Sequence, residues 1–279
     1  NSPLVWDGTM TKVLRAYARA NQAGVVVPFI LGGAMGPVTN AGAIAQALAE
    51  TMAGCALAQL ERPGAPVVFG NFLSSMSLRS GSPTFGTPEP AIGSMVVGQL
   101  ARRLGLPLRC SGNFTNAKLP DAQAMMEGTM SMLAAVQCGA NYILHSAGFL
   151  DGLLSMSYEK FMMDTDLCGA LHAYLKGFEV NEDTLGFDAL AEGGPGVHLF
   201  STQHTMRHYQ TAYWDSALDD HQPWETWDEQ GGIDAATRAN ARWKAQLAAY
   251  EAPPMDPGTD EALKEFVTKA KASVPDAWY

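Results

Sequence analysis

Arg109 and His145 are the residues of this 279-residue chain whose type and placement point most directly to chemistry. Arg109 ends the short apolar run that starts at Pro107, and His145 follows the next one, Asn141-Tyr-Ile-Leu144. Runs of this kind form buried strands. An arginine within a buried strand must find an anion, because an unpaired buried charge is strongly destabilising. Two anions fit: the carboxylate of Glu89 in a structural ion pair, or a substrate carboxylate held by both arms of the guanidinium. A histidine at a strand end is either a hydrogen-bonded core residue or a group that meets substrate. Aromatics stand in the same runs and their following loops: Phe29, Phe69, Phe72, Phe85, Phe114 and Phe149.

Several familiar catalytic patterns are missing. The chain has no G-x-S-x-G, no P-loop and no H-E-x-x-H. His204 and His208 are four apart on an expected helix and share a face. With no acid between them and no third ligand close by, they read as a solvated helix face rather than a zinc pair. Asp164 and Asp166 are two apart on an expected helix and point away from each other, so a joint acid–base role is not expected.

The elements that position Arg109 and His145 alternate regularly. Strands are expected near residues 25–31, 66–70, 107–110 and 141–145, with a weaker fifth at 196–200. Between them lie segments rich in Ala, Leu, Met and Gln that read as helices: Asn40–Leu60, Pro90–Leu104 and Pro120–Cys138. Each helix returns to a strand through a tight glycine-bearing link, and each strand leaves through a longer polar loop. Strands separated by helices run parallel with right-handed crossovers, which gives an α/β fold. A dinucleotide fold does not fit, because the first such loop reads G-G-A-M-G and no acid ends the next strand. A (β/α)8 TIM barrel fits better, with its working residues on the loops after the strands. Only the second half of such a barrel is present, since a closed one needs eight strands. The first residue is Asn1, and the missing strands are expected from an N-terminal segment or from a second copy in a homo-oligomer.

Residues 1–200 are thus expected to form the C-terminal half of a β/α barrel, and residues 201–279 a helical C-terminal extension. Further helices are expected over Tyr158–Lys176, Glu182–Ala191, Thr202–Tyr213, Asp234–Tyr250 and Asp260–Ala272. Six of eight tyrosines and five of six tryptophans follow residue 150, which suits a helical cap packed on the barrel or a docking surface.

Composition excludes other classes. With 47% apolar and 16% charged residues the chain is not disordered. Net charge is −10, with +3 in residues 1–150 and −13 in the remainder; the acidic half disfavours nucleic acid as a partner. No apolar run reaches the roughly 20 residues of a membrane span; Asn40–Leu60 is broken by Glu50, Thr51 and Gln59. Cys55, Cys110, Cys138 and Cys168 show no C-x-x-C spacing and read as buried thiols in the cytoplasm.

Specific strings then carry a resemblance: Asn1-Ser-Pro-Leu-x-Trp-Asp7, Pro28-Phe-x-Leu-x-Gly-Ala-Met-x-Pro-Val-Thr39, Arg62-Pro-Gly-Ala-Pro-Val-Val68 and Arg79-Ser-Gly-x-Pro-x-Phe-Gly-Thr-Pro-Glu89. Lys118-x-Pro-Asp-Ala-Gln123, Gly139-Ala-Asn141, Glu192-x-Gly-Pro-Gly196 and Tyr250-Glu-x-Pro-Pro254 extend it nearly to the end. The chain resembles the C-terminal half of the trimethylamine methyltransferase family, and with no pyrrolysine it is similar to the pyrrolysine-free, glycine-betaine-using branch. The resemblance implies transfer of a methyl group from a quaternary or tertiary methylamine to the Co(I) of cobalamin, a corrinoid carried by a separate small protein. No metal is implied on this chain itself. It also implies that an arginine and a histidine on neighbouring strand ends contact the substrate, matched here by Arg109 and by His145, the catalytic candidate. Phe85, Phe114 and Phe149 are the candidates for a cage around the N-methyl cation. A betaine-binding or scaffold protein with the same pocket and no turnover is the alternative.

Overall fold

In the computed structural model, which describes residues 1–274, Asp7 accepts the Met10 N–H at 2.8 Å and starts a helix that the strand–helix alternation does not anticipate, α1 (Gly8–Arg19). The first expected strand divides into β1 (Gly24–Val26) and β2 (Phe29–Gly32), because Pro28 has no N–H to continue the ladder. After α2 (Asn40–Glu61), β3 (Val67–Gly70) takes the place of the second expected strand, and Asn71 separates it from β4 (Phe72–Met76), a strand formed where the sequence reads as a loop. The two junctions lie against each other: a Cβ on Gly70 would stand 2.6 Å from the Val26 carbonyl oxygen. The short β5 (Pro83–Thr84) precedes α3 (Pro88–Leu104), and β6 (Leu108–Ser111), α4 (Ala122–Gln137) and β7 (Tyr142–Leu144) follow.

The main sheet is parallel with order β1-β3-β6-β7, and β2, β4 and β5 form a second sheet in which β2 and β4 are parallel. The order follows the chain without a reversal point, unlike a doubly wound nucleotide-binding sheet. Side chains alternate across it. Phe69, Leu108 and Cys110 point into a core with Ile44 of α2, Val97 and Ala101 of α3, and Ala135 and Cys138 at the end of α4. The opposite face carries Val25 and Tyr142, 44% and 52% exposed, although parallel sheets are normally covered on both faces. By length and composition α2 could cross a membrane, but it buries Ala43, Ile44, Ala47, Gly54 and Ala58, as a core helix does. Its Glu50 accepts bonds from Ser2, Leu4 and Gln46, so the charge is satisfied locally.

Beyond β7 a hairpin of β8 (Phe149–Leu150) and β9 (Ser155–Met156) leads into α5 (Tyr158–Lys176), with the bounds the sequence predicts. Then come α6 (Glu182–Leu185), α7 (Phe187–Gly193), α8 (Gln203–His208), α9 (Trp224–Glu229) and α10 (Ala235–Ala248). The expected strand at 196–200 does not form. Gly194 and Gly196 both hold positive φ around Pro195, and a 3-10 turn at Leu199–Ser201 takes its place. Residues 1–243 make one compact unit, and the division falls within α10. In the second unit α11 (Pro257–Ser273) begins at Asp256, which caps it by accepting the Thr259 N–H at 2.9 Å.

Candidate functional site

β6 holds Arg109 between two parallel neighbours, paired with Gly70 of β3 and Tyr142 of β7. The residues on either side, Leu108 and Cys110, belong to the helix-covered core, so alternation turns Arg109 to the other face. Its side chain is only 3% exposed. Nη1 donates to the Asn71 carbonyl at 3.0 Å, Nη2 lies 3.3 Å from His145 Nδ1, and Cζ stands 5.5 Å from the Phe72 ring centroid. Among the described residues no carboxylate pairs with it. The Glu89 pairing weighed from the sequence does not form: Glu89 is exposed in the first turn of α3, where the helix dipole favours a carboxylate. Burial pulls the Arg109 pKa below the ordinary value, yet a guanidinium stays charged at neutral pH.

His145 follows β7 at φ 60°. Burial, and then the charge of Arg109, lower its pKa, so the ring is neutral at pH 7. A guanidinium only donates; the Arg109 contact therefore makes Nδ1 the acceptor and assigns the ring proton to Nε2. The pair offers a fixed cation and a neutral N–H donor side by side.

The aromatic residues form one continuous cluster against that pair. His145 lies 5.3 Å from Phe114 and 5.1 Å from Phe149, centroid to centroid, and Phe114 meets Phe85 edge-on at 5.4 Å. Phe149 is half-buried, whereas Phe85 and Phe114 are almost wholly enclosed. The central ring is Phe72, which contacts Phe29, Phe85, Phe114, His145 and Arg109. The cage candidates Phe85, Phe114 and Phe149 do not include Phe72, the ring that joins Phe85 and Phe114 to His145. Phe72 opens β4 beside Phe29 of β2, a pairing the sequence does not show, because residues after Gly70 read as a loop.

The model of the family described as trimethylamine methyltransferase (MTTB) matches residues 1–275. The chain belongs to that family. It is 38% identical over 268 residues to the glycine betaine methyltransferase of Desulfitobacterium hafniense strain Y51, covering 96% of this chain and 56% of that protein. It is 32% identical over 271 residues to trimethylamine methyltransferase MttB1 of Methanosarcina mazei, covering 96% of this chain and 54% of the relative. Trimethylamine methyltransferase MttB of Desulfitobacterium hafniense strain DCB-2 is 27% identical over 270 residues, with 97% and 54% covered. The chain spans about half the length of the curated relatives it matches.

Two other groups in this trimethylamine methyltransferase family chain were weighed from sequence. Asp164 and Asp166 do diverge. Asp166 accepts from Ser216 and Ala217, while Asp164 is buried, ion-paired with Lys160 and bonded to the Gly148 N–H at 2.9 Å. Burial pushes the Asp164 carboxyl up to about 6 against the pull of Lys160. His204 and His208 gain a third neighbour the spacing could not show, Asp183, twenty-odd residues upstream. Arg207 already pairs with that carboxylate at 3.1 Å, and His204 Nε2 bonds the Asp183 carbonyl at 2.9 Å. His208 Nε2 lies 2.9 Å from the other oxygen of the same carboxylate, so the three side chains and Arg207 make one partly exposed, ion-paired cluster.

Proposed function

We propose that this chain forms the substrate site of a methyltransferase that moves a methyl group from a quaternary or tertiary methylamine, of glycine betaine type, to the Co(I) of a corrinoid carried by a separate small protein. The observation that carries the reading is Arg109: a nearly buried cation with no carboxylate partner among the described residues, set against aromatic rings. A substrate carboxylate supplies the missing anion, gripped by the free guanidinium N–H groups and by His145 Nε2–H. The N-methyl cation then meets aromatic faces, worth about 0.5–2 kcal/mol per contact, for which Phe72 joins Phe85, Phe114 and Phe149. The corrinoid supplies the nucleophile. This chain's residues bind and orient the substrate and exclude water from it. Among the described residues no carboxylate bonds to Arg109 or His145, which suits a quaternary ammonium, whose leaving group departs as a neutral tertiary amine and needs no acid. A tertiary amine would react as its ammonium, already carrying the proton its leaving group keeps.

Within this reading residues 1–200 are the second half of a β/α barrel and residues 201–279 its helical extension. The unreversed strand order and the exposed apolar sheet face support that assignment. The remaining strands come from an N-terminal half or from a second copy, and the four free cysteines suit a cytoplasmic setting.

The test is methyl transfer from glycine betaine, proline betaine, carnitine, choline and trimethylamine to Co(I)-cobalamin by the full-length protein, followed by the cobalamin spectrum. Methylcobalamin from at least one betaine supports the reading. Betaine binding in calorimetry without turnover would show a binding protein instead.

A further inference from the structure

The turn that presents His145 is held by groups that the methyl-transfer reading leaves unused. A positive φ at a residue with a Cβ is strained and persists only where its surroundings enforce it. Here the enforcement is visible. Asn113, fully buried in the loop after β6, donates its backbone N–H to the His145 carbonyl at 3.1 Å and its Nδ2 to the Ser146 carbonyl at 2.6 Å. Three residues past His145, the Gly148 N–H donates to Asp164 Oδ2 at 2.9 Å. Asp164 is ion-paired with Lys160, one turn earlier on α5, and neither side chain has any exposure. Lys160 Nζ and Asn113 Oδ1 both stand over Gly128, 3.4 and 3.5 Å from where a Cβ would be, so the two holds converge at a position on α4 that lacks a side chain.

Stability alone gives no reason for an ion pair at this depth. Well-packed apolar residues of similar volume commonly do as well or better, because two charges must be desolvated. An apolar residue cannot accept the Gly148 N–H, and an aspartate needs a counter-charge to do so while buried. We propose that Asn113 and the Lys160–Asp164 pair are positioning residues, which hold backbone 145–148 in its turn and thereby keep the neutral His145 ring facing Arg109. The proposal rests on the reading of Arg109 and His145 as a substrate site.

The test uses the full-length protein and the double substitution Lys160→Met with Asp164→Leu, which removes both charges together, and Asn113→Ala as an independent variant should the first not fold. The expected result is a melting temperature near that of the unaltered protein, glycine betaine affinity weakened by about ten-fold as the His145 Nε2–H bond to its carboxylate is loosened, and kcat reduced by about a hundred-fold, the scale of a ~1 Å misplacement. On a His145→Gln background the same substitutions produce no additional loss of kcat, because they act through that ring. Imidazole nitrogen-15 shifts give a readout without turnover. The unaltered protein shows His145 as the single neutral Nε2–H tautomer, and the variants show an average of two. Unchanged imidazole shifts, or an equal loss of kcat with Gln at 145, would overturn the proposal. Failure of the unaltered protein to transfer methyl from any amine would instead remove the functional reading, leaving the imidazole shifts to decide the positioning role.

Discussion

Arg109 makes the most direct prediction at the scale of a residue. If its guanidinium grips a carboxylate, Arg109→Ala weakens glycine betaine binding by about 1.5–3 kcal/mol, the range for a charge-assisted hydrogen bond. Choline, with the same cationic head and no carboxylate, loses almost nothing. Calorimetry with both ligands checks this, and equal losses would make Arg109 a purely structural cation. Arg109 and His145 were legible in the sequence because a charged or titratable residue stands out at the end of an apolar run. Asn113 and Lys160 were not, since an asparagine in a polar loop and a lysine in a helix have no unusual neighbours in sequence. Only burial separates them from the ordinary, and burial is a property of the packed chain. Glu89 shows the converse: an acid at the right distance in sequence was turned away by its place in the first turn of α3.

Among the elements, α5 is tied at its start to α10, by the Tyr158–Trp243 ring contact, by Met162 packed with Ala239, and by one carboxylate. Glu159 accepts from Ser157 Oγ at 2.7 Å, Asn240 Nδ2 at 2.7 Å and Trp243 Nε1 at 2.8 Å, and these donors hold its carboxyl down at about 2. A folded-state pKa below the unfolded one contributes stability that is complete above the unfolded value and fades as pH falls toward the folded one. Glu159→Gln is therefore expected to lower stability in urea melts at neutral pH, with the deficit shrinking as pH falls from 4.5 toward about 2. A deficit that stays constant across that window would assign the tie to packing alone. The helix–strand alternation was readable because its period is strong, whereas the strand break at Pro28, the added strand β4 and the failed strand at 196–200 were not. An apolar run with a proline in it, or one flanked by glycines, has the composition of a strand until backbone geometry decides.

For the whole molecule, the main sheet keeps one face against helices, while the other is covered around Arg109 and exposed toward its outer strands. Val25, Val27, Tyr142 and Leu144 are exposed on that second face, and β1 and β7 each have one sheet neighbour. Exposed strand edges beside an apolar face promote association. The 279-residue chain, expressed as it stands, is expected to elute and scatter light as a dimer or larger species. Val25→Lys with Leu144→Lys should shift it toward monomer without loss of helical circular dichroism. A monodisperse monomer of the unaltered chain would show that the exposed part of that face needs no cover.

The order of the strands also bears on how the chain reaches this arrangement. In the main sheet β3, β6 and β7 each pair with the strand of that sheet made before them, one long helix earlier, and none waits for a distant partner. Pairings that close over short stretches of chain form faster than distant ones, and domains emerge from the ribosome amino-terminus first. β1 and β3 can dock as soon as β3 has followed α2 out of the ribosome, and β6 and β7 then add to a surface already in place. The turn bearing His145 is the last part of this sheet to be shaped, because Lys160 and Asp164, which hold it, are translated after it.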